Sequence, residues 1–156
     1  MPSNSVLDSL PSKARQIIDN TPGRDACLRQ IAQLLADEIA VYDWVGFYLA
    51  APNGNAELHL GPYVGAATEH TIIPFGKGIC GQVAESHQTF VVDDVEAEDN
   101  YLSCNVHVKS EIVVPIMKGE RFVAQLDIDS NTKAAMDAQH RATLERICGM
   151  LAPLFA

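Results

Sequence analysis

The sequence predicts an α+β domain in which a central antiparallel sheet is backed by N- and C-terminal helices on one face. Two observations carry this prediction. Apolar residues recur at helical spacing near both ends of the chain, whereas strand-like runs fill the middle without the strand-helix alternation of a parallel sheet. The 156 residues, 47% of them hydrophobic, suffice for one domain with a sizeable core.

The helices are predicted from apolar stripes on one side of each segment. We expect one helix from Ala26 to Val41 and another from Ala138 to Leu151. An earlier helix, from Val6 to Ile18, is interrupted by Pro11 unless that proline opens a new first turn. A short helix from Ile79 to Ser86 is expected after a glycine pair.

The strands are predicted from aromatic and β-branched runs between turn signals. We expect them at Trp44 to Ala50, Glu57 to Val64, Thr89 to Val92, Ser110 to Met117 and Arg121 to Ser130. The turn at residues 52–55 joins the first pair, and the tight turn at residues 118–120 joins the last pair. The acidic stretch 93–100 is predicted to be a loop.

The charge balance excludes several classes of partner. There are 20 acidic residues against 11 Lys and Arg, which gives a formal charge of −9 that repels nucleic acids and anionic lipid surfaces. The longest apolar runs are too short to span a bilayer, and the N-terminal residues lack the pattern of a signal peptide. We therefore expect a cytoplasmic protein, without nucleic-acid or membrane partners, whose four thiols are reduced at rest.

The four cysteines fall into two groups. Cys27 and Cys148 lie on or beside helical apolar stripes, where a thiol acts as a small hydrophobic group. Cys80 is expected in the first turn of a helix beside Lys77, so we predict a lowered pKa for its thiol. Cys104 lies at the end of the acidic loop, where it could be accessible. Two such thiols would suit a redox couple, but the sequence alone does not bring them together.

Three carboxylates interrupt otherwise apolar strands. Asp127 and Asp129 are two apart on one strand and project to the same face, and the tight turn brings that strand back near Glu111. Such a cluster needs a cation, which could be an ammonium group, a metal ion or a protein Arg or Lys. The alternative is that the three are turn-forming or salt-bridged residues of an edge strand.

Two aromatic residues and the histidines complete the list of candidates. Trp44 and Tyr48 are four apart, so in a strand both rings face one side and could line a pocket for a small apolar or sulfur-containing group; otherwise they are core. The five histidines show no ligand spacing. No phosphate-binding glycine loop is present either. We therefore predict no metal and no cofactor.

Five sequence blocks together resemble the GAF-domain free methionine-(R)-sulfoxide reductases, from about Ala26 to the last helix. The blocks occur in the order of that family: Asp43-Trp44-Val45-Gly46-Phe47-Tyr48, Leu60-Gly61-Pro62-Tyr63, Ile73-Pro74-Phe75-Gly76-Lys77-Gly78-Ile79-Cys80-Gly81, Ser110-Glu111-Ile112-Val113-Val114-Pro115 and Leu126-Asp127-Ile128-Asp129-Ser130. The resemblance implies a GAF-like sheet with helices behind it. We expect an N-terminal helical extension over residues 1–25 and a single GAF-like domain over residues 26–156.

The resemblance also implies an activity, the thiol-dependent reduction of free L-methionine-(R)-sulfoxide. Cys104 corresponds to the nucleophilic cysteine, which would pass through a sulfenic acid, and Cys80 to a second redox cysteine that would form a disulfide with it. A thioredoxin-like dithiol would reopen that disulfide. The family's acids that hold the substrate correspond to Glu111, Asp127 and Asp129, and its aromatic wall corresponds to Trp44 and Tyr48.

Two departures from the family pattern leave a second function open. His70 stands where the family has a third cysteine, and Ser103-Cys104-Asn105 lacks the acid that usually follows the nucleophile. The competing prediction is therefore a non-catalytic GAF module that binds a small molecule or senses redox state. The sequence does not fix the oligomeric state, and we name a homodimer as the candidate assembly.

Overall fold

The fold is built on one six-stranded sheet whose neighbouring strands are all antiparallel. The computed structural model describes residues 4–102 and 107–156. In chain order the elements are α1 (Asn4–Asn20), α2 (Arg24–Glu38), β1 (Trp44–Ala50), β2 (Glu57–Val64), β3 (Ile72–Pro74), α3 (Gly78–Ser86), β4 (Phe90–Val92), β5 (Ser110–Lys118), β6 (Arg121–Ser130) and α4 (Ala138–Leu151). The strand order is β3-β2-β1-β6-β5-β4, so β6 lies at the centre of the sheet.

One face of the sheet is covered by α1, α2 and α4. Helix α2 packs on β1 and β2, α4 packs on β5, and α1 packs on α2 and α4. Fully buried apolar side chains of the helices share one core with those of β1 and β6: Leu10, Leu28, Ile31, Leu35, Leu144 and Ile147 with Val45, Phe47, Leu126 and Ile128. Burial of this apolar surface is the main source of stability in such a layer. The predicted packing of the terminal helices on one face is confirmed. None of the described helices is both long and apolar enough to cross a membrane.

The opposite face carries the shorter helix α3. Because side chains alternate along a strand, Trp44 and Tyr48 of β1 point away from the α2 side and join Ile79, Val83 and Val113 in a second, smaller cluster. This cluster is separate from the larger core. Asp129 lies opposite both Trp44 and Glu111 in the sheet, so these acids share the second face.

The antiparallel α+β architecture predicted from the sequence is confirmed, but three local predictions are wrong. Helix α1 continues through Pro11, and helix α2 ends at Glu38 rather than at Val41. The pattern also missed β3, an edge strand of three residues that pairs only with β2. Three residues are too few to establish an alternation. The boundary between residues 25 and 26 stays a prediction.

Candidate active site

Three acids are brought together by the register of β5 and β6. Glu111 lies directly opposite Asp129. Asp127 comes two residues before Asp129 in β6, so its side chain points to the same face. The exposed fractions of the three residues are 5% for Glu111, 1% for Asp127 and 2% for Asp129. Both strands are interior to the sheet, so the alternative of salt-bridged residues on an edge strand is wrong. We call these three residues the acid triad.

The acid triad is electrostatically unfavourable when fully ionised. Burial, together with the neighbouring carboxylates, raises the pKa of Glu111 and of Asp129 well above the ordinary range, and burial also raises the pKa of Asp127. Within the described ranges, no Lys, Arg or His forms a salt bridge with the triad. One oxygen of each Asp, Oδ1, is buried without a hydrogen-bond partner. The triad therefore holds protons or requires a cation.

Cys80 faces the acid triad, which overturns its predicted pKa. It lies in the first turn of α3, as expected, but its Sγ–H donates a hydrogen bond to Asp127 Oδ2 over 3.4 Å. Burial and the nearby negative charges raise the pKa of the Cys80 thiol, whereas the helix start and Lys77 led us to predict a lowered one. Desolvation and three carboxylates outweigh a partial helix charge, so Cys80 rests as a thiol.

Trp44 and Tyr48 form an aromatic wall beside the acid triad. Their ring centroids are 6.4 Å apart with an interplanar angle of 27°, and Tyr63 of β2 stacks on Trp44 at 5.3 Å. Trp44 Nε1 donates to the carbonyl of Ala66 over 3.0 Å, and the Tyr48 hydroxyl donates to the carbonyl of His70 over 2.9 Å. Both rings thus attach the loop between β2 and β3 to the strand that supports them.

Two glycines make room for the Trp44 indole. A Cβ at Gly46 would lie 2.4 Å from Trp44 Cη2, and a Cβ at Gly65 would lie 2.6 Å from Trp44 Cδ1. Real Cβ atoms do not approach other atoms so closely. The orientation of Trp44 therefore depends on glycine at both positions.

We expect Gly46→Ala to displace the Trp44 ring and to destabilise the protein by about 1–3 kcal/mol, the usual effect of overpacking. Trp44 is the only tryptophan, so its fluorescence spectrum reports the displacement directly. Gly149→Ala is the matched control, because a Cβ there meets nothing within 4 Å and the residue lies inside α4. An unchanged emission spectrum and midpoint of unfolding in Gly46→Ala would contradict this account.

Two cavities adjoin the acid triad. The larger, of about 220 Å³, is lined in part by Trp44, Asp129 and the loop residues Ala66, Ala67 and Thr68. The smaller, of about 10 Å³, is lined in part by Tyr48, Cys80, Glu111 and Asp127. The first has room for a small organic molecule and the second for a single water or ion. The larger cavity thus presents Asp129 and the Trp44 ring to a small molecule, and the smaller cavity presents the Cys80 thiol together with Glu111 and Asp127.

Residues 23–153 match the GAF domain family. The chain belongs to that family. A free methionine-R-sulfoxide reductase from Neisseria meningitidis, solved in complex with its substrate, superposes on this GAF domain with a TM-score of 0.92 at 31% identity, covering 97% of this chain and 89% of that one. The fRMsr of Staphylococcus aureus, also solved with substrate, has a TM-score of 0.86 at 34% identity, covering 96% of this chain and 95% of that one.

The sequence of a curated relative supports the same family. The free methionine-R-sulfoxide reductase of Saccharomyces cerevisiae is 33% identical over 110 residues, which are 70% of this chain and 61% of the yeast protein. The match therefore spans less than two thirds of the yeast protein. Together with the structures, this relative confirms the resemblance to the GAF-domain free methionine-(R)-sulfoxide reductases.

The GAF domain brings six of the seven predicted site residues to one place: Trp44, Tyr48, Cys80, Glu111, Asp127 and Asp129. Cys104, the seventh, lies outside the described residues. Cys27 and Cys148 are buried in the larger core, as expected for inert thiols. The sequence pattern did not predict that Tyr63 or the loop residues 66–68 belong to the site. Their contacts arise from the pairing of β1 with β2, which no spacing within one segment reveals.

The raised pKa of Cys80 predicts slow alkylation at pH 7, because thiol reagents attack the thiolate. We expect the rate to rise steeply as the pH is increased above the ordinary thiol range. Asp127→Asn should accelerate alkylation at pH 7 by about tenfold for each unit by which it lowers the pKa. Peptide mass spectrometry on a Cys104→Ser background isolates this signal.

Cys148 is the internal control for this measurement, because it is also buried but lies in α4 in the other core. Its alkylation rate should be the same with and without Asp127→Asn. If Cys80 reacts at pH 7 as fast as a free cysteine, it rests as a thiolate and the present assignment is wrong.

Proposed function

We propose that this GAF domain reduces free L-methionine-(R)-sulfoxide to methionine. The observation that carries the proposal is the acid triad, three buried carboxyl groups that have no cationic partner in the described part of the chain. A free amino acid brings the ammonium group that such a cluster lacks. The similar reductases of Neisseria meningitidis and Staphylococcus aureus, which were each solved in complex with substrate, support the same choice of substrate.

The site offers complementary surfaces to both ends of this substrate. Its ammonium group would be held by the acid triad, where charge-assisted hydrogen bonds form in a poorly solvated place. Its sulfur and methyl group would lie against Trp44 and Tyr48, because sulfur contacts aromatic rings favourably. The cavity of about 220 Å³ is small, which favours a free amino acid over a peptide.

The chemistry that we propose uses Cys104 as the nucleophile. Its thiolate attacks the sulfoxide sulfur and forms an S–S bond, while the oxygen is protonated. The oxygen then passes to the cysteine sulfur, so that the S–O and S–S bonds of the substrate sulfur both break, Cys104 becomes a sulfenic acid and methionine leaves. The sulfoxide sulfur is reduced by two electrons and the cysteine sulfur is oxidised by two. A protonated carboxyl of the triad can supply the proton that the oxygen requires, because its raised pKa keeps that proton near neutral pH.

Recycling requires a second thiol and an external reductant. Cys80 would condense with the sulfenic acid, which forms a disulfide and releases water, and a thioredoxin-like dithiol would reduce the disulfide by exchange. Asp127 is placed to accept the Cys80 proton, since it already accepts that hydrogen bond. Such recycling suits the cytoplasm, where dithiol reductants are abundant. A homodimer remains our expectation for the assembly.

A coupled assay tests the proposed function. Thioredoxin, thioredoxin reductase and NADPH are supplied with free L-methionine-(R)-sulfoxide, and oxidation of NADPH is followed. We expect turnover of the R diastereomer, and much weaker turnover of the S diastereomer and of a peptide that contains methionine sulfoxide. If the R diastereomer binds but is not turned over with thioredoxin or with dithiothreitol, the protein is the competing module that only binds or senses a small molecule.

A further inference from the structure

Cys80 brings a sulfur ligand to two of the buried carboxylates. Cys80 Sγ and one oxygen each from Glu111 and Asp127 all lie within 4.8 Å of one another. The pair that the hydrogen bond fixes, Cys80 Sγ and Asp127 Oδ2, is 3.4 Å apart. A tetrahedral Zn²⁺ with Zn–S of about 2.3 Å and Zn–O of about 2.1 Å separates such ligands by about 3.6 Å. We propose that Cys80, Glu111 and Asp127 form a binding site for Zn²⁺.

The space between these residues suits a single ion. The cavity of about 10 Å³ is lined by Cys80, Glu111 and Asp127, and it has room for one atom-sized occupant. The three ligands come from α3, β5 and β6, elements fixed by the sheet and by the second core. They are far apart in the sequence, so no spacing within one segment predicts a metal site here.

An unpartnered atom provides independent support for a bound cation. Asp127 is 1% exposed, and its Oδ1 has no hydrogen-bond partner in the described ranges, while its Oδ2 accepts a hydrogen bond from the Cys80 thiol. A buried carboxylate oxygen without a partner is unfavourable. A metal ion bonded to Asp127 would relieve this deficit and take the place of the thiol proton.

The ligand set selects the class of ion. A thiolate with carboxylate oxygens suits Zn²⁺ and Co²⁺, whereas Mg²⁺ and Ca²⁺ take oxygen ligands and avoid sulfur. Three protein ligands leave a fourth position open to water. Binding of Zn²⁺ forms one Zn–S bond and two Zn–O bonds, and it releases to solvent the Cys80 proton together with any proton held by Glu111 and Asp127, with no change in oxidation state.

Bound Zn²⁺ would also exclude the substrate ammonium, because both cations use Glu111 and Asp127. This second consequence rests on the proposed function, whereas binding of the metal itself does not. Zn²⁺ is therefore expected to inhibit the reductase competitively with methionine sulfoxide. It would further keep Cys80 from forming a disulfide.

Metal binding is tested on the reduced, chelator-treated protein without any turnover. Co²⁺ should bind one equivalent and give the thiolate charge-transfer and visible bands of a tetrahedral site, and Zn²⁺ should displace it. We expect Cys80→Ser to abolish these bands and to weaken Zn²⁺ binding by about 100-fold or more, because the soft ligand is lost. Asp127→Asn should weaken binding by about tenfold or more, because a charged ligand becomes neutral.

Cys148→Ala and Cys104→Ser serve as the matched cysteine variants, and both should keep the bands. Excess Mg²⁺ or Ca²⁺ should leave them unchanged. The proposal is overturned if Cys80→Ser retains the bands, or if Cys104→Ser abolishes them while the wild type shows one equivalent. Free L-methionine sulfoxide should lower the apparent Zn²⁺ affinity. Failure of that competition alone counts against the proposed function rather than against the metal site.

Discussion

The Cys104→Ser protein is expected to lose at least about 10³-fold in turnover of free methionine sulfoxide, because a hydroxyl cannot replace a thiolate as the nucleophile or take up the oxygen as a sulfenic acid. The coupled NADPH assay measures the loss under multiple turnover. A single-turnover measurement of released methionine, with dithiothreitol absent, separates the chemical step from recycling. In that measurement the wild type should release about one methionine per active site, and Cys104→Ser none.

Cysteines of the larger core give the matched control for this variant. Cys27→Ala and Cys148→Ala remove thiols that lie on the other side of the sheet, so both should keep wild-type turnover. Cys80→Ser should retain the single turnover and lose only recycling by thioredoxin, because Cys80 acts after methionine has left. Full activity in Cys104→Ser would show that the nucleophile lies elsewhere and would remove the basis of the proposed reaction.

The Asp129→Asn protein is expected to show a KM for methionine sulfoxide raised by about 10- to 100-fold, since the loss of one hydrogen bond to a charged group is worth about 1.5–3 kcal/mol. An amide keeps the shape of the side chain, but it cannot give up a proton and become the negative charge that the ammonium group requires. The kcat should fall less if Asp129 acts mainly in binding. An unchanged KM would contradict the role of the acid triad in holding the substrate.

The same substitution, which weakens substrate binding, is expected to make the folded protein more stable. Burial raises the pKa of Asp129 in the folded protein, so folding retains a proton that the unfolded chain releases above its ordinary pKa of about 4. The unfolded state then binds fewer protons, and the free energy of unfolding decreases as the pH rises towards the folded-state pKa. Asp129→Asn removes this loss, so the variant should gain stability relative to the wild type between pH 4.5 and pH 8.

Denaturant unfolding at these two pH values measures the difference. Asp8→Asn provides the control, because Asp8 is exposed on α1, which covers the other face of the sheet, and this variant should keep the wild-type KM. A variant that unfolds more readily than the wild type at both pH values would mean that Asp129 supports the fold rather than the site.

The sequence predicted the sheet better than it predicted the environment of individual groups. Strand β1 was predicted to the residue because a short aromatic run ends in a clear turn signal. The shared face of Asp127 and Asp129 follows from the period of a strand and needs no tertiary information. Pro11 was misread because packing of α1 against the core stabilises a helix that local preference alone would break.

The pKa of Cys80 could not be obtained from its neighbours in sequence. Local features, a helix start and Lys77, favour the thiolate, but the carboxylates that decide the outcome come from β5 and β6. Only the folded sheet brings them to the sulfur. The contact of Tyr63 with Trp44 was missed for the same reason, since it depends on how two strands pair across a turn.

The sheet separates the apolar core that stabilises the fold from the residues of the candidate site. The three long helices bury the larger cluster behind it, while α3 covers charged and aromatic groups in front. Random substitutions in the rear layer should therefore alter how much folded protein accumulates and leave kcat/KM of the surviving molecules intact. Random substitutions in the front layer should leave the abundance of folded protein unchanged and alter kcat/KM. A deep mutational scan that scores both abundance and kcat/KM should show these two effects on opposite faces of the sheet.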